Sequence, residues 1–183
     1  MDREAILAWL KDHPAAVHGD PTQLMERFEK EVRRHAEQHA WRAAKAHVDD
    51  RMHEWEQQWG YHSSEAYAAK QVCPELAREL KRMEPHFEKG DEPQLVGEGL
   101  FGTLEPDARI LVGDWIREVA NDVEHRIWQQ VVQYTQDRGR GLVREGRVSE
   151  DTNWDRTAAF QQQAARVAKI LVDELEAHTP PDA

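Results

Sequence analysis

One stretch of this chain has no breaker in it. From Pro21 to Gln58 there is no Gly and no internal Pro, and the run closes at Trp59-Gly60. Asp20-Pro21-Thr22-Gln23 is a good helix start: Asp as N-cap, Pro at the first helical position, Gln three after the cap. A helix over 21–58 would be about 57 Å long at ~1.5 Å per residue. A compact globule of 183 residues is roughly 40 Å across. Such a helix must overrun a compact fold, bend, or bury its excess on a partner.

The rest of the chain is patterned the same way. Strand-like alternation is nearly absent, and apolar residues recur at helical spacing. The pattern predicts short helices at about 2–12, from Ser63 or Ser64 to about 72, and from Pro74 to Glu84-Pro85. Two more long ones follow, at about 106–137 and 150–177. In the first of these Val112, Ile116, Val119, Val123, Ile127 and Tyr134 form one stripe. In the second Trp154, Ala158, Phe160, Ala164, Val167, Leu171 and Leu175 point inward. Residues 85–105 carry Gly90, Pro93, Gly97, Gly99 and Gly102, and residues 138–148 carry Gly139, Gly141 and Gly146; both read as loops. The expectation is an all-α fold: an elongated bundle of three long and three short helices, one domain over 1–183 with a joint in 85–105.

Charge narrows the function classes. The net charge is −11 and is spread along the chain; residues 138–148, with four Arg against one Glu, are the one positive segment. Uniform acidity disfavours a general nucleic-acid or anionic-membrane binder, without excluding a local site on that segment. The single cysteine, Cys73, rules out an internal disulfide and suits a reducing compartment. The start Met-Asp-Arg-Glu-Ala-Ile-Leu lacks a signal peptide's basic and apolar regions, so a cytoplasmic location is expected.

Candidate sites sit on the long helix. At 100° per residue His35, His39, Ala43, Ala46, Asp50, His53 and Gln57 share one face. Trp41, Ala44, Val48, Met52, Trp55 and Trp59 share the opposite one. His35, His39, Asp50 and His53 have metal-ligand spacing, but a face opposite the tryptophans is more simply a wet one. A second Asp-x-x-His, at Asp122 and His125, loosely resembles the Glu-x-x-His pairs of four-helix di-iron proteins. Both acids here are the shorter Asp, and no pair of Glu ligands is evident.

Arg34-x4-His39 and Arg42-x4-His47 have a spacing that resembles the Arg and His pair of the HEPN family of helical ribonucleases. The resemblance covers these residues alone. It implies Arg34 steadying phosphate charge and His39 as acid and base, usually across a dimer.

The remaining motifs have plain readings beside their functional ones. Gly97-Glu98-Gly99-Leu100-Phe101-Gly102 spells G-x-G-x-x-G but follows no strand, and Glu98 would repel a pyrophosphate. Leu100 and Phe101 are an apolar plug or a partner anchor. Arg138, Arg140, Arg144 and Arg147 could meet phosphate or an acidic partner, or simply complement a helix C-terminus. Cys73 before Pro74 reads as a structural thiol.

Core packing is the default reading of the tryptophan stripe, but it is displaced around the helix from Leu24, Met25, Phe28 and Val32, so the two ends of 21–58 cannot face one neighbour unless the helix bends. One end is expected to bury against this chain and the other against a second chain or subunit, with Trp41, Trp55 and Trp59 as the interface anchors. The leading reading is a soluble, acidic helical protein that works by protein–protein interaction, as adaptor, regulatory subunit or homo-oligomer, with no cofactor. The alternatives are a helical enzyme, HEPN-like or metal-dependent, and a nucleic-acid-associated factor using the Arg-Gly segment.

Overall fold

A computed structural model describes residues 2–60, 63–85, 104–151 and 155–179, with side chains at all of these except 143, 145–151 and 155–158. The fold is all-α. The elements are α1 (Arg3–Asp12), a 3-10 turn (Pro14–Ala16), α2 (Pro21–Trp59), α3 (Ser64–Met83), α4 (Pro106–Asp151) and α5 (Asp155–His178). The sole β pairing among the described residues is an isolated antiparallel bridge between Val17 and Leu104. No helix among them is long and apolar enough to cross a membrane.

The helix boundaries follow local chemistry. Asp2 caps α1, its carboxylate accepting the Ala5 N–H at 2.8 Å. Gly19, at φ +111°, turns the chain into Asp20, whose carboxylate accepts the Thr22 N–H at 3.0 Å. Gly60, at φ +80°, ends α2, a left-handed conformation that suits Gly. Ser63 caps α3, accepting from the Ala66 N–H at 3.0 Å.

Three boundaries differ from the sequence expectation. Residues 138–148 are not a loop; α4 runs through them. Each helical Gly costs about 1 kcal/mol relative to Ala. Against that, Val131, Thr135 and Leu142 continue a buried stripe, and a Cβ on Gly139 would lie 3.4 Å from the Ala168 Cβ of α5. Close packing on α5 uses the missing side chain. Likewise Pro74 does not start a helix but lies inside α3. It removes one backbone donor, at a cost of ~3 kcal/mol in a helix interior. The buried stripe Ala66, Ala69, Val72, Cys73, Leu76, Ala77 and Leu80 runs straight past it, and burying a Leu returns about 1.5–3 kcal/mol. The last helix starts at Asp155, with 150–151 still in α4.

Apart from its last three residues, the chain divides by its contacts into two compact units: Met1–His39 with Pro85–His125, and Ala40–Glu84 with Arg126–Pro180. The first unit packs α1, the early part of α2 and the early part of α4. Its core is Ile6, Leu10, Ala16, Val17, Met25, Phe28, Leu104, Ala108, Val112 and Trp115. The Glu105 N–H donates to the Ala16 carbonyl at 3.0 Å, tying the turn after α1 to the start of α4.

The second unit is an up-down-up-down four-helix arrangement, legible from its cross-helix pairs. Lys70 of α3 lies 3.4 Å from Glu56 of α2, and Arg42 near the other end of that helix pair bonds Glu84, the α3 C-cap, at 2.7 Å. Arg138 of α4 meets Glu75 of α3 at 3.0 Å. Gln136 of α4 donates to Glu176 of α5 at 3.1 Å. Arg51 of α2 holds Glu174 of α5 with two nitrogens, Nε at 2.6 Å.

The displaced stripes of α2 have an explanation inside the chain. Met25, Phe28, Val32, Ala36, Ala40, Ala44 and Val48 are all buried. From Phe28 onward the step is four residues, and each step turns the buried face by about 40°. The alanines carry the face from one apolar stripe to the other. Trp41 and Trp55 are 4% and 1% exposed. They are core residues of the second unit, not exposed anchors. Trp59, half-buried, stacks on Trp55 with centroids 5.1 Å apart.

Candidate functional site

Three places bring polar chemistry together. In the first unit a cleft of about 270 Å³ lies between α2 and α4, lined by Val32, His35, Ala36, His39, Ile116, Ala120 and Glu124. The two elements run parallel here, so His35 and His39 on successive turns look onto the α4 face that carries Glu124. The rings of His35 and His39 are parallel with centroids 6.4 Å apart. His39 Nδ1 lies 3.3 Å from Glu124 Oε1. That contact orients an exposed imidazole against the α4 carboxylate.

The other residues expected to join these histidines do not. Asp50 and His53 belong to the second unit and are exposed. His53 Nδ1 contacts its own helix at the Asp49 carbonyl, 2.9 Å away. Asp122 is exposed and His125 half-buried on α4. No group of three or more His, Cys, Asp or Glu side chains among the described residues has the arrangement to hold a metal ion.

Arg34 and His39 are five residues apart, hence about 140° apart around α2. Arg34 lies 3.6 Å from Glu31, while His39 faces Glu124. Arg42 is bound to Glu84, and His47 lies in a ring cluster described below. Neither Arg–His pair converges on one point within the helix.

The Arg-Gly segment is split in role. Arg138 makes a two-point pair with Glu75, at 3.0 and 3.1 Å, and so braces α4 on α3. Arg140 pairs with Asp137 at 3.0 Å and Arg144 is exposed. The side chain of Arg147 lies outside the described residues, as do Leu100, Phe101 and the glycine motif around them.

The second place is a groove of about 450 Å³ between α4 and α5 in the second unit. Its floor is small and apolar: Gly139, Ala165, Ala168 and Val172, with Thr135, whose hydroxyl is satisfied by the Val131 carbonyl at 2.8 Å. Because the helices are antiparallel, its rim is polarised. Arg140 and Lys169 stand at one end, Asp173 and Glu176 at the other. The Gln136–Glu176 hydrogen bond separates it from a wider concavity walled by Arg126, Gln129, Gln130 and Gln133.

The third place is aromatic. His47 of α2 meets His178 at the end of α5, centroids 4.4 Å apart. The indole of Trp128 on α4 lies 6.4 Å from the first ring and 6.5 Å from the second. Burial, then the neighbouring His178, lowers the pKa of His47 from its ordinary value. Nearby, Arg51 is held above its usual range by its hydrogen bond to Glu174 and lies 5.2 Å over the Trp55 ring. Cys73 is a structural thiol: burial pushes it up to about 12, so it carries almost no thiolate at neutral pH.

Neither the groove nor the ring cluster is visible in the sequence. The groove is made by residues without side-chain chemistry, and the spacing Arg42-x4-His47 points to a different partner from the one His47 has. A helix-end histidine such as His178 is an ordinary dipole complement until the fold lays α5 against α2. No protein-family model, no curated protein and no solved structure matches the chain.

Proposed function

We propose that the chain acts by protein–protein association, with a second copy of itself as the occupant of the α4–α5 groove. The polarised rim of that groove carries this reading. Under a two-fold axis through its centre, the Arg140/Lys169 end of one copy lies over the Asp173/Glu176 end of the other, and the same happens at the far end. The floor of Gly139, Ala165 and Ala168 lets a helix approach closely. The net charge of −11 opposes self-association at long range. At physiological ionic strength that repulsion is screened beyond about 8 Å, which leaves the local pairs to act. A cytoplasmic setting fits a single, deeply buried cysteine.

The test is a charge swap followed by light scattering at micromolar concentration. Wild type is expected as a dimer. Lys169→Glu puts acid against acid and returns a monomer, and adding Asp173→Lys to it restores the dimer. A strictly monomeric wild type, or a dimer indifferent to both variants, sinks the reading.

A further inference from the structure

In the second unit two histidines far apart in sequence meet ring to ring at the end of α5. His47 Nε2 is buried without a hydrogen-bond partner, while His178 Nδ1 contacts the Glu174 carbonyl of its own helix at 2.8 Å. A neutral imidazole suits this setting better than a charged one, because an unpartnered ring nitrogen costs less than an unpartnered N–H of an imidazolium. A protonated His47 would carry N–H donors on both nitrogens, one of them aimed at nothing, and a positive charge against the second ring.

We infer that the His47–His178 pair is an acid-released clasp: with both rings neutral it fastens the last turn of α5 to α2 and Trp128, and protonation opens it. The groups facing the pair set its sense. From α2 come Arg51, which opposes protonation, and Glu54, which favours it. From α5 come Glu174, which favours it, and His178 itself; α4 presents the uncharged indole of Trp128. Glu174 is already engaged on two oxygens by Arg51, so its charge is largely committed. Burial and His178 outweigh both carboxylates, and the folded pKa of His47 falls below 6.5. The released state therefore binds more protons than the closed one. The clasp is fully present above pH 6.5, and its contribution is lost as pH falls from there through the lower folded value.

The inference does not depend on what the α4–α5 groove binds. Its test is amide hydrogen exchange of the full chain between pH 7.5 and 5, expressed as protection relative to the intrinsic rate at each pH, with Trp fluorescence followed in parallel. Protection over 171–178 is expected to fall several-fold toward pH 5 in wild type, and equally in His53→Gln, which removes an exposed histidine from the same helix. His47→Phe keeps an aromatic ring in place but cannot titrate, and its protection is expected to stay flat. His178→Gln removes the second charge and is expected to shrink the fall, which decides the matter should His47→Phe not fold. An unchanged wild type, or the same fall in every variant, overturns the proposal.

Discussion

The two units bury their interiors by partly different means. The unit of α1 and the early parts of α2 and α4 is filled by large side chains: Ile6, Leu10, Met25, Phe28, Val112 and Trp115. On α2 Arg33 pairs with Glu29 and Arg34 with Glu31 along the helix, and Arg3 of α1 reaches across to Glu29. In the four-helix unit eight buried positions among the described residues are alanine: 40, 44, 66, 68, 69, 77, 164 and 168. Small residues bring helices close, and close helices let Arg51–Glu174, Arg138–Glu75 and Lys70–Glu56 reach across. Both units bury large side chains, Trp55, Leu76 and Leu171 among them in the second. The second adds near approach at its alanines and charges that meet across helices.

That contrast can be broken most strongly at the large side chains. Phe28 is fully buried, and Phe28→Ala is expected to cost about 3–5 kcal/mol in denaturant unfolding followed by circular dichroism. A cost below ~1 kcal/mol would mean that the first unit does not rest on its large residues. Glycine replacement gives a sharper, intermediate effect. Gly139→Leu forces a side chain against Ala168 and should lose about 1–3 kcal/mol. Gly113→Leu in the other unit meets open space and should gain up to ~1 kcal/mol from helix propensity. Equal effects at the two positions would erase the difference in packing. The smallest effect separates the ion pairs. Arg51→Ala removes a two-point, partly buried pair across helices and is expected to cost about 1 kcal/mol, whereas Arg33→Ala should cost no more than ~0.5 kcal/mol. Thermal melts of the two variants check the order.

Much of the fold was readable from punctuation. Asp20-Pro21 and Gly60 bracket α2, and Pro106 opens α4, because caps and left-handed glycines act locally. Gly139, Gly141 and Pro74 misled for the converse reason. Their local cost is real, but burial of Leu142 on one side and of Leu76, Ala77 and Leu80 on the other outweighs it, and burial is decided by residues distant in sequence. The tryptophans misled more instructively. Reading only large apolar residues made α2 look like a helix with two unrelated faces, when Ala36, Ala40 and Ala44 join them. The histidine face was read as wet, which describes His39 and His53; Glu124 beside His39 could not be foreseen without knowing that α4 runs parallel to α2.

The four-residue cadence of buried positions along α2 gives that helix the character of a screw. Between Val32 and Val48 the buried line winds by about 160°, so the helix cannot slide along its axis without also rotating. A single-residue insertion in this stretch would turn everything beyond it by about 100° and strip the burial from one side of the insertion. The length of α2 between these two valines is therefore a counted quantity, even though three of the buried positions that do the counting are only alanines.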